Sequence, residues 1–392
     1  MKLEGIRVVD FSQFLPGPHL SMMMADHGAD VILVEPPGGE PVRRIGLSID
    51  GDSVWFGNVS RGKRSISVNL KQAEARELML KLLDQADVLI EAFRPGVMER
   101  LGLGYKAVKA RNPRIVYCSI SAYGQTGPKR LKPAHDLSIQ ADSGVVSINE
   151  GLDGAPTNPA MPCADMAASL MALSGILMAL LRRERGGAGD YLDISMQDAL
   201  IAWTPNVMGP VFAERRPPEP KHERSWGGSA FYRLYRTRDG RHLSLGGSEL
   251  AFARNLLTAL GREDLIELCA LPPGPAQDPV KQFLEQTFAT RTLAEWDQFL
   301  RDIDVCYAPV RDLFEAIHEP HLQAREMLLH DEDARPHLGV PIKFSEEPAR
   351  PVLVLPRQGE HAAELLASLG YDDATIEDYF ERGVLIRGTA TL

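Results

Sequence analysis

The stretch GIRVVDFSQFLPGPHLSMMMADHGADVILVEPP, residues 5–37, predicts the first strand–helix–strand unit of the fold. Its two ends, GIRVVDF and ADVILVEPP, are short apolar runs rich in β-branched residues, as expected of buried strands. Between them, PGPHLSMMMADHG begins with proline and ends at Gly28, which is typical of a helix. Two apolar strands separated by one helix favour a parallel sheet with helices on both faces.

The same alternation continues through the first half of the chain. KRSISVNL, ADVLIEAF and PRIVYCSISAYG are predicted as strands or extended segments, and KQAEARELMLKLLDQ and GVMERLGLGYKAVKARN as helices. Ligands of such sheets bind outside the carboxyl ends of the strands. Those ends are DFSQFLPGPH, VEPPGGEP, EAFRPG and SAYGQTGP, all rich in glycine or proline. The sequence therefore predicts an α/β fold class with a ligand site at this edge.

The chain changes character beyond the large domain, whose first part is predicted at residues 1–190. A linker is predicted at residues 191–224, because FAERRPPEPKHER is charged and rich in proline. It leads into AFYRLYRTRDGRHLSLGGS, which predicts a β-hairpin turning at Arg238–Gly240. With the later strand DVCYAPVRDL, this hairpin predicts a smaller α+β domain over residues 225–315.

Composition excludes several classes of protein. The 392 residues include 43 Lys plus Arg and 53 Asp plus Glu, a net charge of −10. No overall positive field exists to attract phosphates, so binding to nucleic acid or to an anionic membrane is not expected. The apolar segment Met166–Leu181 is shorter than the roughly 20 residues that span a bilayer, and we expect a buried core helix.

The cysteines and histidines indicate neither a disulfide framework nor a metal site. Cys118, Cys163, Cys269 and Cys306 are widely separated, and with no apolar N-terminal leader they predict a cytoplasmic protein with reduced thiols. His318, His321, His330 and His337 fit no zinc spacing, so no metal is predicted. Motifs of nucleotide-binding loops and of serine hydrolases are missing from the sequence.

Two short segments carry candidate catalytic groups. His135 and Asp136 stand together in KPAHDLSIQADSG, and Asp165 directly precedes the most apolar helical segment of the chain. An aspartate in that position is often only a helix N-cap. A helix N-terminus also offers unpaired N–H groups that suit a developing oxyanion. From these residues alone, both interpretations stay open.

Long collinear motifs carry a resemblance to a known family. VVDFSQFLPGPHLSMMMADHGADVILVEPP, EAFRPGVMERLGLGY, SISAYGQTGP, AHDLSIQADSG, PCADMAASLMALSGILMALLRRERGGAGDYLDISMQDAL and FYRLYRTRDGRHLSLGGSE resemble the class III CoA-transferase (CaiB/BaiF) family. The likeness continues through CYAPVRDLFEAI and GEHAAELLASLGYDDATIEDYFERGVL. This family includes formyl-CoA transferase, carnitine CoA-transferase and α-methylacyl-CoA racemase.

The resemblance implies an intertwined homodimer with a Rossmann-like large domain, to which residues 316–392 return. It implies an acyl-CoA substrate and no tightly bound cofactor, since coenzyme A arrives as part of the substrate. By position, the family's coenzyme A contacts map to Phe14, Leu15, Pro16, Val68, Lys71, Phe93 and Arg100. The chain departs from the family at Pro36, where an arginine is common, and at Ala92, where an asparagine is common. Substitute cations are sought among Arg43, Arg44, Arg61, Lys63 and Arg64.

The family divides by chemistry, and Asp165 serves both branches. In the transferases the matching aspartate is a nucleophile that carries first the acyl group and then coenzyme A. In the racemases a histidine and that aspartate exchange the α-proton on opposite faces, while helix N–H groups hold the enolate oxygen and a small-domain glutamate supports the histidine. His135, Asp165 and Glu249 match all three racemase positions, with Asp136 holding either the loop or the imidazole.

The resemblance therefore favours 2-methylacyl-CoA racemase, and "GPH" at Gly17–His19 agrees with that branch. The alternative is a CoA-transferase with Asp165 as nucleophile. A catalytically silent CoA-binding subunit is a third hypothesis, which Asp165 argues against. The acyl group itself is not indicated by the sequence.

Overall fold

The computed structural model describes residues 1–151 and 153–388. The chain divides into two units. The large unit comprises Met1–Ser143, Pro159–Trp203 and Pro320–Leu392, and the small unit comprises Gly144–Asn158 and Thr204–Glu319. Each unit is described by itself below.

Over the described residues the strands are β1 (Arg7–Asp10), β2 (Asp30–Glu35), β3 (Ser48–Ile49), β4 (Asp52–Ser53), β5 (Arg64–Ser67), β6 (Val88–Glu91), β7 (Val116–Ser121), β8 (Tyr191–Ser195), β9 (Tyr232–Arg236), β10 (His242–Gly246), β11 (Tyr307–Pro309), β12 (Leu328–His330) and β13 (Pro336–Leu338).

The α-helices are α1 (Pro16–Asp26), α2 (Val54–Ser60), α3 (Ala73–Leu83), α4 (Val97–Arg100), α5 (Tyr105–Arg111), α6 (Asp136–Asp142), α7 (Cys163–Glu184), α8 (Met196–Ala202), α9 (Gly209–Ala213), α10 (Leu250–Ala259), α11 (Asp278–Phe288), α12 (Leu293–Leu300), α13 (Leu313–Ile317), α14 (Pro320–Ala324), α15 (Ala362–Ser368) and α16 (Asp373–Glu381). Short 3-10 helices form at Pro41–Arg44, Val146–Ile148, Arg224–Trp226, Glu263–Leu265, Glu267–Ala270 and Pro275–Gln277.

The large unit is built on a six-stranded sheet in the order β5-β2-β1-β6-β7-β8. Every neighbouring pair is parallel, and in the register Val9 lies between Ile32 of β2 and Leu89 of β6. The chain runs outward from β1 through β2 to β5 and then returns to β6 on the other side of β1. The predicted parallel α/β fold is thus confirmed, and the border between β1 and β6 is its topological switch point.

The turn from β1 into α1 is tight enough to require glycine. A Cβ atom on Gly17 would lie 2.1 Å from the Ser12 hydroxyl oxygen, well inside van der Waals contact. Pro16 and Pro18 flank this glycine in the first turn of α1, where a missing N–H costs nothing. The stretch that predicts the fold therefore forms the first strand, turn and helix as expected.

The predicted linker at residues 191–224 is wrong at its start. Tyr191–Ser195 form β8, which pairs with β7 at the edge of the main sheet, and α8 follows directly. The prediction fails there because β8 forms by pairing with β7, a strand that ends at Ser121, and this pairing is a tertiary contact. At the other end of the chain, Leu385 forms an isolated β-bridge with Val68, so the C-terminal segment packs in the large unit.

The helix α7 is only half buried in the chain, unlike the buried core helix predicted at Met166–Leu181. Its buried face is made mainly of small residues, such as Ala164, Ala168 and Ala172. The opposite face exposes Leu170, Met171, Leu177, Met178 and Leu181, with Met178 at 70%. Among the described residues, α7 is the helix that is long and apolar enough to cross a membrane. Core helices also meet these two criteria of length and composition.

The small unit contains the predicted hairpin. β9 and β10 pair antiparallel across Arg238–Gly240, with the Thr237 N–H donating to the Arg241 carbonyl at 2.9 Å. β11 adds to the other edge of β10, which matches the predicted third strand. Trp296, at 1% exposure, anchors the apolar core of this unit, and its indole N–H donates to the Phe288 carbonyl at 2.9 Å.

A buried ion pair in the large unit generates a stability prediction. Arg61 and Asp26 are 1% and 3% exposed at their side chains and form two bonds, of 3.0 and 2.7 Å. Asp26→Ala should lower the free energy of unfolding by about 3–5 kcal/mol, because the buried guanidinium loses its partner. Urea unfolding measures this, with Glu347→Ala, which breaks an exposed pair with Lys2, as the control expected to change little. Equal losses in the two variants would contradict the prediction.

Candidate active site

Two cavities open at the carboxyl ends of the parallel strands in the large unit. The first, of about 440 Å³, is called the His–Asp cavity; its wall includes Phe14, Ala92, Phe93, Ser121, His135 and Asp165. The second, of about 500 Å³, is called the Lys71 cavity; its wall includes Phe11, Glu35, Pro36, Val68, Lys71 and Phe93. Phe93 and Gln13 line both cavities. The site thus lies at the switch point expected of an open parallel sheet.

A larger cavity, of about 780 Å³, lies in the small unit but is a weaker candidate. Its cations already have acidic partners: Lys281 lies 3.1 Å from Asp278, and Arg233 lies 3.1 Å from Glu285. Size alone does not select a site. The His–Asp cavity is preferred because it contains both candidate acid/base groups.

Asp165 lies in the first turn of α7, which begins at Cys163. The first backbone N–H groups of this helix all have acceptors. Those of Ala164 and Asp165 donate to Asp136 Oδ1 at 2.8 and 3.2 Å, and those of Cys163 and Met166 donate to backbone carbonyls. The expectation of free N–H groups for an oxyanion at this helix terminus is therefore wrong, because Asp136 caps the helix from another segment.

Asp136 is held rigidly in this capping position. Its second oxygen accepts a hydrogen bond from Gln140 Nε2 at 2.6 Å, and the same amide donates to the Met161 carbonyl at 2.9 Å. Gln140 is only 1% exposed. Asp136 was predicted to hold either the loop or the imidazole. The structure shows that it holds the loop and the start of α7.

His135 is the residue immediately before α6, and its ring faces the His–Asp cavity. The edge of the imidazole and the ring of Phe14 meet nearly at right angles, with centroids 6.0 Å apart. His135 and Asp165 therefore line one cavity although 30 positions separate them in the sequence. Their roles as an acid/base pair stay a prediction.

The environment of Asp165 perturbs its carboxyl group strongly. Burial, followed by the negative charge of Asp136, raises the pKa of Asp165 from its ordinary value of 3.8 to about 7. Such a carboxyl group is partly protonated and partly ionised at neutral pH. It can therefore take up a proton or release one under the same conditions.

Buried acids at the strand ends shape the loops around both cavities. Asp10, Glu35 and Glu91 are the last residues of β1, β2 and β6. Asp10 accepts the N–H of Ser12 at 2.9 Å, and Glu91 accepts that of Phe93 at 2.8 Å. Burial raises the pKa of Glu91 to about 7. These acids were not predicted from the sequence, although acidic residues at the ends of apolar strands are visible in it.

The residues predicted to contact coenzyme A divide between the cavities. Phe14 and Pro16 line the His–Asp cavity, Val68 and Lys71 line the Lys71 cavity, and Phe93 lines both. Leu15 precedes α1 and Arg100 ends α4, and neither residue lines either cavity. Glu249 belongs to the small unit, where it directly precedes α10.

Most of the proposed substitute cations are engaged elsewhere. Ion pairs join Arg43 to Glu35, Arg61 to Asp26, Lys63 to Asp10 and Arg64 to both Asp30 and Glu364. These contacts make Arg43, Arg61, Lys63 and Arg64 poor candidates for phosphate binding, contrary to the expectation. Arg44 is exposed, and among the described residues no ion pair occupies it.

The profile of CoA-transferase family III matches residues 3–362 of the chain. The chain belongs to CoA-transferase family III. Membership confirms the resemblance that the sequence motifs carry. No group of three or more potential metal ligands comes together among the residues that the structure describes.

Relatives within CoA-transferase family III carry both chemistries. The chain is 32% identical to succinyl-CoA:mesaconate CoA-transferase of Haloarcula marismortui, over 95% of this chain and 98% of that protein. It is 33% identical to alpha-methylacyl-CoA racemase of Homo sapiens, over 95% of this chain and 94% of that protein. A crystal structure of a CaiB/BaiF family protein from Brucella suis superposes with a TM-score of 0.82 at 29% identity, covering 94% of this chain and 99% of that one.

The raised pKa of Asp165 predicts a pH-dependent stability. Between its ordinary pKa of 3.8 and about 7, the folded chain holds a proton that the unfolded chain has released. Stability contributed by this proton is therefore present at low pH and lost as the pH rises through about 7. Asp165→Asn should gain stability relative to the natural chain as the pH rises from 4 to 8, measured by urea unfolding. A difference that stays constant over this range would contradict the raised pKa.

Proposed function

We propose that this protein is a 2-methylacyl-CoA racemase that exchanges the α-proton of its substrate. The observation that carries the proposal is the placement of His135 and Asp165 in the wall of one cavity. Racemisation needs two groups, since a proton removed from one face of the carbon must be returned on the other. One strong nucleophile alone would not require the histidine.

In the proposed reaction, the substrate's α-carbon lies between the two side chains. One removes the α-proton, the electron pair passes into the thioester carbonyl as an enolate, and the other group protonates the opposite face. The pKa of Asp165, about 7, supports this role because an efficient acid/base group titrates near the working pH. The coenzyme A portion is proposed to lie along the Lys71 cavity, where Lys71 offers a cation.

A CoA-transferase is the second candidate, favoured by relatives such as the Haloarcula marismortui enzyme. In that reaction an oxygen of Asp165 attacks the thioester carbonyl and coenzyme A leaves as the thiolate, so that a mixed anhydride forms between Asp165 and the acyl group. The thiolate then forms an aspartyl thioester and releases the first acid. This chemistry needs Asp165 but assigns no proton transfer to His135.

Deuterium exchange distinguishes the two candidates. The protein is incubated with a 2-methylacyl-CoA in deuterated buffer without any acceptor acid, and mass spectrometry follows the α-position. A racemase should incorporate deuterium, and His135→Ala should slow incorporation by about 10²–10⁴-fold, because a positioned acid/base group is lost. Glu249→Gln should slow it less, since Glu249 is proposed to support the histidine.

Asp165→Ala is the common control, because its carboxyl group takes part in both reactions and activity should be abolished. The exchange experiment can also exclude the racemase. If no deuterium enters the α-carbon while hydroxylamine traps an acyl or thioester adduct on Asp165, the protein is a CoA-transferase and the racemase proposal fails.

We also propose that the active form is an intertwined homodimer. The exposed apolar face of α7 supports this, since a contiguous apolar surface on a folded chain is usually covered by a partner. A second copy of the chain supplies such a partner.

The four free cysteines agree with the proposed cytoplasmic location, where thiols stay reduced.

The dimer makes a separate prediction about Met178, which is 70% exposed on that face. Met178→Glu should weaken self-association, because it places a charge in the apolar contact. Light scattering should show a dimer for the natural chain and a larger monomer fraction for the variant. A natural chain that is monomeric and fully active would contradict the homodimer.

A further inference from the structure

Phe14 has an unusual backbone conformation at the edge of the His–Asp cavity. Its φ angle is +66°, in the left-handed region that a bulky side chain rarely adopts. The residue is 37% exposed rather than packed in a core. Unfavourable backbone conformations persist only where the surroundings impose them, and they concentrate at functional sites. Something must therefore hold Phe14 in place.

The group that holds Phe14 is the buried carboxylate of Glu40. Glu40 Oε1 accepts the Phe14 N–H at 2.9 Å, and Oε2 accepts the Val42 N–H at 2.6 Å. Glu40 is only 3% exposed, and burial raises the pKa of its carboxyl group. An acid is seldom buried without a purpose, since removing it from water is costly. Here both oxygens are committed to backbone N–H groups.

Glu40 is in turn fixed to the end of β2. Its own N–H donates to Glu35 Oε2 at 2.8 Å, and Arg43 makes two bonds of 2.7 Å to the Glu35 carboxylate. Ser65 donates to the other Glu35 oxygen at 2.5 Å. The chain of contacts thus runs from the rigid sheet through Glu35 and Glu40 to the backbone of Phe14.

The contacts continue from Phe14 to His135. The Phe14 ring meets the imidazole edge-on at 6.0 Å, an arrangement that aromatic pairs favour. His135 is itself exposed and precedes α6 without a side-chain capping bond, so few other contacts restrict its ring. From this we infer that Glu40 is a positioning residue, which holds Phe14 against His135 and so orients the imidazole in the cavity. The inference rests on the proposed function only in treating His135 as the acid/base residue.

The test follows the His135 imidazole directly, independently of any reaction. The full-length protein is labelled with ¹³C-histidine, and the His135 signal is assigned by its loss in His135→Gln. Glu40→Gln replaces one acceptor oxygen by an amide donor, so the side chain can no longer accept both the Phe14 and the Val42 N–H groups, and the contact that holds Phe14 is disturbed. The His135 signal should shift, and deuterium exchange should slow by roughly 10- to 100-fold, as expected of a misplaced catalytic group.

Asn112→Ala is the matched control for loss of a buried polar side chain. Asn112 is 9% exposed and bonds to the backbone of Leu83, Ala86 and Arg114, and it lines neither cavity. This variant should lose stability yet leave the His135 signal and the exchange rate unchanged. A shift in the control equal to that in Glu40→Gln would overturn the inference, because general loosening would then explain both.

A double variant tests whether Glu40 acts through Phe14. In the Phe14→Gly chain the ring is gone, so adding Glu40→Gln should cause no further shift of the His135 signal. A further shift of full size would overturn the proposed route. If Glu40→Gln does not fold, Glu40→Asp serves instead, since its shorter side chain keeps the charge but draws back from Phe14. An unmoved His135 signal in that variant also overturns the inference.

Failure of the inference and failure of the proposed function are distinguishable. If the natural chain exchanges deuterium but Glu40→Gln leaves the His135 signal unmoved, the racemase stands and the positioning role falls. If the signal moves as expected but no exchange occurs in the natural chain, the positioning role stands and the racemase falls.

Discussion

The hydrogen bonds from the backbone of Ala164 and Asp165 to the Asp136 carboxylate join the two segments on which the candidate site depends. Because His135 directly precedes Asp136, the same contact that caps α7 also sets where the histidine stands. Gln140 fixes the second oxygen of Asp136, so the carboxylate cannot rotate away. Without this contact nothing local would bring a histidine from one loop to an aspartate on a helix that begins 27 residues after Asp136. The cap therefore fixes the start of α7 and the place of His135 together.

This arrangement sets the electrostatics of the site as well as its geometry. A helix N-terminus normally favours the ionised form of an acid in its first turn. In this protein the N–H groups that would do so are occupied by Asp136, which also adds a negative charge beside Asp165. Burial and that charge outweigh the effect of the helix N-terminus, and the pKa of Asp165 rises to about 7. A carboxyl group with both protonation states populated near neutral pH suits proton exchange better than nucleophilic attack, which needs the ionised form.

The parallel sheet contributes a second set of constraints through the acids that end its strands. Asp10, Glu35 and Glu91 end neighbouring strands at the carboxyl edge of the sheet, and each accepts a backbone N–H of the loop that follows. The loops after β1 and β6 place Phe14 and Phe93, the aromatic walls of the cavities. Relatives that share the fold carry out transferase and racemase reactions, so the sheet alone does not fix the chemistry. The reaction depends on side chains that these loops present.

The sequence by itself determined the parallel α/β architecture and the hairpin at Arg238–Gly240, because strand periodicity and turn residues are local properties of the chain. Its motifs also named His135 and Asp165 as candidate site residues. It could not show that Tyr191–Ser195 complete the sheet, since that strand pairs with a partner whose last residue is Ser121. Nor could it show that half of α7 is exposed, because an apolar helix looks the same whether one face or all of it is covered. The capping of α7 by Asp136, and the buried carboxylate of Glu40 beneath Phe14, were likewise decided only by the tertiary structure, where a buried N–H must find an acceptor wherever the fold brings one within reach.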